Sequence, residues 1–180
     1  MSMSTQPPAN VLSVLFLCTG NSARSQIAEA LLTTRGNGRF TAGSAGVQPA
    51  KQVNPFAVEI LRDYGIDWNG RVPKTIDDVR DMHWDFVITV CDRARESCPI
   101  FPGNPSFAHW GMEDPAEVHG DDATKRVAFR NTAVTLARRI DLLLALPMSS
   151  LEQRVRDDRV RSIGVSDDAG VSPASERASS

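Results

Sequence analysis

The sequence predicts an open α/β sheet, mainly parallel. Two observations lead there. Strand-length apolar runs alternate with helix-length amphipathic stretches from Val11 to Leu146, the pattern of strand–helix–strand units. The first run, Val11–Leu17, is almost continuously apolar and branched, as in a strand covered on both faces.

The elements follow in order. Val11–Leu17 leads straight into Cys18-Thr19-Gly20-Asn21-Ser22-Ala23-Arg24-Ser25, and a helix follows with Ile27, Ala28, Leu31 and Leu32 on one face. Phe40–Ala45 reads as a second strand. Asn54-Pro55 opens a helix, since Asn suits the N-cap and Pro the first helical position. Phe56, Ile60 and Tyr64 form its face, and Gly65 closes it. Thr75 followed by Asp78 starts another short helix. Phe86–Val90 and Ser106–Trp110 are further strands. Asp121–Leu146 is a long helix, with Phe129, Ala133, Leu136, Ile140 and Leu143 at helical spacing.

The 180 residues fit one domain. Residues 1–10, polar with Pro7-Pro8, are expected to form a flexible leader, and 11–147 the domain. Residues 148–180 lack aromatic side chains and end in Ser-rich sequence, so a polar, disordered tail is expected, with an exposed helix allowed at Leu151–Val160. A net charge of -2 and a pI near 5.9 exclude a basic nucleic-acid footprint. Without a membrane-length apolar run or a signal-peptide pattern, a cytoplasmic protein is expected, with neither nucleic acid nor membrane as partner. Three cysteines, an odd number, do not suit a secreted disulfide framework. Cys-x-x-Cys pairs are missing, and His83, His109 and His119 stand singly, so zinc spacing is unconvincing. His109, beside Trp110, reads as a packed loop residue.

Cys18 and Arg24 bracket a loop between a buried strand and a helix. Such a loop directs backbone N–H groups inward, and the helix dipole adds partial positive charge, so a tetrahedral oxyanion fits. Arg24 can clamp two of its oxygens, which Lys could not. Gly20 and Asn21 tolerate the turn. The same field favours a thiolate at Cys18, with a thiol pKa lowered to ~3.5–7.5 in comparable settings, and the Ser25 hydroxyl is placed to hydrogen-bond the sulfur. Thr19, Gly20, Asn21, Ser22, Ala23, Arg24 and Ser25 are thus the candidate oxyanion-binding residues. Cys91 lies just past the Phe86–Val90 strand. Parallel strand ends share one edge of the sheet, so Cys91 can approach Cys18 there. Cys98 is seven residues further, on the same face if the segment is helical. Two turns span ~10 Å, too far for a disulfide, so the segment would have to unwind for the pair to bond.

Val14–Ser25 resembles the active-site loop of the low-molecular-weight protein tyrosine phosphatase superfamily, and Ser44-Ala45-Gly46 and Asp114-Pro115 also resemble it. The resemblance, over about Val11–Leu146, implies a four-stranded parallel sheet flanked by helices. It further implies that Cys18 attacks the tetrahedral centre and that Asp114 acts as the acid. Cys98-Pro99, His109-Trp110-Gly111 and Asp114-Pro115 in that order resemble the thioredoxin-coupled arsenate reductases. That resemblance implies arsenate, or a phosphate-like oxyanion, as substrate and a relay through Cys18, Cys91 and Cys98. Thioredoxin, or glutaredoxin, would be the electron donor, and no cofactor is implied. Some relatives bind potassium behind the loop. Asn21, Glu29 and Ser44 resemble part of that site, but its acidic ligand is replaced near Lys74, and no metal is expected. Two alternatives stay open: a phosphatase hydrolysing phosphate monoesters, for which Ala116 after Asp-Pro leaves a poor ring pocket, and a non-catalytic metalloid or redox sensor.

Overall fold

The computed structural model describes residues 11–165. Four parallel strands form one sheet in the order β2-β1-β3-β4: β1 Leu12–Cys18, β2 Phe40–Gly46, β3 Phe86–Thr89 and β4 Ser106–His109. The four-stranded parallel architecture expected above is the one observed. β1 is central, and Val14 to Leu17 have no solvent exposure, which explains why that stretch is apolar without alternation. Its register sets the site: Leu17 pairs with Thr89 and Cys18 with Gly46. The loops after β1 and β3 therefore emerge side by side.

The helices cover both faces. They are α1 Arg24–Arg35, α2 Pro55–Asp63, α3 Ile76–Val79, α4 Asp92–Glu96, α5 Asp122–Ala145 and α6 Gln153–Val165. Their starts match the sequence signals. Asn54 accepts from the Phe56 amide, Thr75 and Asp78 form a reciprocal capping box, and Asp121 accepts from the Thr124 amide. Gly65 ends α2 at φ +76°, a value that side chains disfavour. Among the described residues no helix is long and apolar enough to cross a membrane.

The chain past Pro147 departs from expectation. The expected leader, 1–10, and the end of the expected tail, 166–180, lie outside the described residues. Within the tail, however, 153–165 form α6, which packs against β4 and α5. Val160 and Ile163 are buried, and the Trp110 indole N–H donates to the Val160 carbonyl at 3.1 Å. Trp110 is fully buried and its ring lies 6.0 Å from that of Phe16. Trp110→Ala is therefore expected to destabilise the fold by ~3–5 kcal/mol, the usual cost of emptying a large aromatic site. Urea unfolding followed by circular dichroism would measure it.

Candidate active site

The site begins where β1 ends. The carbonyls of Cys18, Thr19, Gly20 and Ser22 accept from the amides of Val47, Gln48, Ala50 and Asn54 at 2.8–3.1 Å. Drawing these carbonyls outward turns the loop amides the other way, towards the space beside Cys18. The strand after the loop must come very close. A Cβ at Gly46 would lie 2.6 Å from the Thr19 carbonyl oxygen, so only glycine fits there.

Asn21 holds the loop's shape. It is fully buried at φ +48°, and its side chain is saturated. Nδ2 donates to Ser25 Oγ at 2.9 Å and Ser44 Oγ at 2.8 Å, while Oδ1 accepts from the Lys74 amide and Gln26 Nε2. Its own amide donates to Cys18 Sγ at 3.2 Å. Because Ser25 Oγ accepts from Asn21, its hydrogen is available for Cys18 Sγ, 2.7 Å away.

Cys18 is 2% exposed. Burial pushes its thiol up from the ordinary value. The Ser25 hydroxyl, the Ser25 amide, the Arg24 charge and the Asn21 amide pull it back. Burial dominates, so the strongly lowered thiol expected from the loop pattern is not obtained. The donors are legible in sequence, but the dryness around the sulfur is not. Ser25→Ala removes the foremost of the opposing influences. Alkylation of Cys18 by iodoacetamide should then need higher pH, and at pH 7 it should slow roughly tenfold, in line with ~1.5 kcal/mol for a hydrogen bond to a charged group.

Arg24, also buried, faces the loop from the first turn of α1. One terminal nitrogen donates to the Met112 carbonyl at 3.0 Å and the other pairs with Asp114 at 3.2 Å. The second oxygen of Asp114 caps the 3-10 turn Pro115–Glu117 through the Ala116 amide. Arg24, whose charge acts on Cys18, is thus paired with Asp114, although 90 residues separate the two in sequence. They line a cavity of about 820 Å³ with Thr19, Asp92 and His109.

Cys91 is buried, is the N-cap of α4, and its sulfur lies 3.3 Å from Thr19 Oγ1. It is therefore held against the residue that follows Cys18. Cys98 is placed otherwise than the two-turn expectation. Helix α4 stops at Glu96, because Cys98 precedes Pro99 and a residue before proline avoids the helical region. Cys98 is half-buried in a separate apolar cavity of about 670 Å³ with Phe101 and Phe107. Burial pushes its thiol up as well. All three cysteines are free thiols.

Glu29 and Lys74 form a pair that nothing in the sequence signals. Ser44 donates to Glu29, and the Lys74 ammonium lies 3.6 Å from the same carboxylate oxygen. A side-chain cation thus neutralises the carboxylate that a bound potassium ion would need, so these residues do not fit that ion. Among the described residues no cluster of three or more His, Cys, Asp or Glu could hold a metal.

The chain is similar to several known proteins. Residues 13–160 match the family model described as low molecular weight phosphotyrosine protein phosphatase. An arsenate reductase of Halalkalibacterium halodurans is 39% identical over 127 residues, covering 71% of this chain and 91% of that protein. A thioredoxin-dependent arsenate reductase structure from Corynebacterium glutamicum has 30% identity and a TM-score of 0.54, covering 75% of this chain and 64% of that one. A low molecular weight protein tyrosine phosphatase from T. tengcongensis has 26% identity and a TM-score of 0.59, covering 72% of this chain and 95% of that one.

Proposed function

The chain belongs to the low molecular weight phosphotyrosine protein phosphatase family, and on that premise we propose that it reduces arsenate to arsenite by a three-cysteine relay fed by a thioredoxin-type dithiol. The observation that carries this reading is the contact of Cys91 Sγ with Thr19 at the mouth of the Cys18–Arg24 loop. A hydrolase has no need of a second thiol there, since water resolves its intermediate.

Arsenate docks against the loop amides and Arg24. The Cys18 thiolate attacks arsenic, and Asp114 gives a proton to the departing oxygen, which leaves as water. Cys91 thiolate then attacks Cys18 Sγ. The sulfur–arsenic bond breaks with its electron pair passing to arsenic, which leaves as arsenite, and a Cys18–Cys91 disulfide remains. Cys98 attacks Cys91 in turn, freeing Cys18 and moving the disulfide outward. An external dithiol reduces Cys91–Cys98 and closes the cycle.

Purified protein mixed with arsenate, thioredoxin, thioredoxin reductase and NADPH tests this reading through NADPH loss. Steady turnover is expected for the wild type, and for Cys98→Ser a single turnover on the electrons of Cys18 and Cys91, with no NADPH loss. Turnover with glutathione and glutaredoxin alone would reassign the donor. A phosphatase is the second reading, favoured by the Cys18, Arg24 and Asp114 set and by the T. tengcongensis likeness. It would win if Cys91→Ser and Cys98→Ser hydrolysed para-nitrophenyl phosphate like the wild type while the wild type ignored arsenate. A binding-only sensor would have no use for an acid paired with the loop arginine.

A further inference from the structure

We infer that His109 is a positioning residue for the relay: its imidazole pins the first turn of α4 to the sheet edge and so sets how readily Cys98 reaches Cys91. The inference rests on the thiol relay proposed above and adds a residue to it.

Helix α4 has little to hold it. It spans five residues, far below the ~12–15 at which an isolated helix becomes even marginal. Of these five, Ala94 alone is buried. Its N-cap is a sulfur, which accepts from the Ala94 amide at 3.4 Å. The firm tie runs through Asp92, whose carboxylate oxygen lies 3.0 Å from His109 Nε2. The other ring nitrogen, Nδ1, lies 2.7 Å from Thr89 Oγ1. An ionised Asp92 carboxylate can only accept, so Nε2 carries the hydrogen of that contact. One imidazole thus joins the end of β4, the end of β3 and the start of α4.

The ring is itself fixed. The Trp110 amide donates to the Thr89 carbonyl at 2.7 Å, continuing the ladder past His109. A Cβ on Gly111 would lie 2.5 Å from His109 Nε2, and one on Gly164 of α6 would collide with the His109 carbonyl oxygen. Two glycines therefore let chain close around this residue from both sides.

Its position gives the arrangement a purpose. His109 and Arg95 line both cavities, the one holding Thr19, Arg24 and Asp114 and the one holding Cys98. For a disulfide, the Cα atoms of Cys91 and Cys98 must come within ~4.4–6.8 Å, which a wound α4 opposes. The His109–Asp92 contact favours the wound, reduced form. Without it the oxidised form gains, and the disulfide becomes harder to reduce.

Two measurements on the full chain test this. Amide exchange by NMR on the reduced protein should speed up tenfold or more at Ala94, Arg95 and Ser97 in His109→Ala and Asp92→Ala, with β1 amides unchanged. Asp92→Asn keeps an oxygen that accepts from Nε2 and should stay within twofold of wild type. In dithiothreitol redox buffers, the Cys91–Cys98 disulfide equilibrium should shift tenfold towards oxidation in the same two Ala variants, or ~30 mV more negative for a two-electron couple. Unchanged exchange in both Ala variants overturns the inference. So does faster exchange spread equally over β1, which marks general destabilisation. Faster exchange confined to α4 in a wild-type background that never forms a Cys91–Cys98 disulfide overturns the relay instead.

Discussion

Cys91→Ser is expected to stop arsenite release almost completely, to below roughly a thousandth of the wild-type rate, while oxyanion binding survives. The two effects separate because the residues serve different steps. In the proposed relay arsenate is held by the loop amides and Arg24, and the attacking sulfur is Cys18. Cys91 touches this apparatus through Thr19 Oγ1 at 3.3 Å. A serine there preserves a hydrogen-bonding partner for Thr19 and an N-cap acceptor for Ala94. What it lacks is a thiolate able to attack sulfur, and an alkoxide is inaccessible near neutral pH. Phosphate affinity by calorimetry should stay within twofold of wild type, and arsenite formation by chromatography should disappear. Substantial arsenite release from the variant would mean that Cys98 or an external thiol attacks Cys18 directly.

Arg24→Lys is expected to lower kcat/KM for arsenate by about 10²–10³-fold, the usual cost of losing a fixed donor to a developing oxyanion. The guanidinium is a planar fork already oriented by the Met112 carbonyl and Asp114. A lysine ammonium is a single point of charge on a flexible stem, and it cannot meet two substrate oxygens while keeping both contacts. The loss should appear in kcat as well as in phosphate affinity, because Arg24 also holds the proposed acid, Asp114, at the rim. The carbonyls of the loop remain bonded to Val47–Asn54, so the fold should melt within a few degrees of wild type. A lysine variant with unaltered kcat would show that the loop amides carry the anion alone.

Much of this architecture was legible because its determinants are local. The apolar run before Cys18 predicts a covered strand, and Asn54-Pro55, Thr75 with Asp78, and Asp121 predict helix starts because a cap acts within four residues. The placement of the Cys18–Arg24 loop was legible for a similar reason, since its ends are fixed by one strand end and one helix start. Most of what escaped depends on distant contacts. Helix α6 carries two buried side chains, Val160 and Ile163, amid alternating charges, and its anchor is a backbone carbonyl that accepts from Trp110. Main-chain acceptors leave no trace in composition. The raised Cys18 thiol follows from dryness contributed by the whole core, while its hydrogen-bond donors lie within seven residues. The placement of Cys98 turned on Pro99, which ends α4 early and sends the thiol into its own apolar cavity. Spacing alone suggested a shared helical face; the proline rule opposes it, and the structure follows the proline.

The proposed relay passes one disulfide in order across three sulfurs, and mapping that disulfide after a single turnover is its sharpest test. The reduced protein would be mixed with one equivalent of arsenate, quenched by alkylation and digested, and its disulfide-linked peptides read by mass spectrometry. The proposed relay requires a Cys91–Cys98 link with Cys18 alkylated in the wild type, and a Cys18–Cys91 link in Cys98→Ser. Arsenite appearing while all three cysteines remain alkylated as free thiols would contradict it, and so would a Cys18–Cys98 link in the wild type.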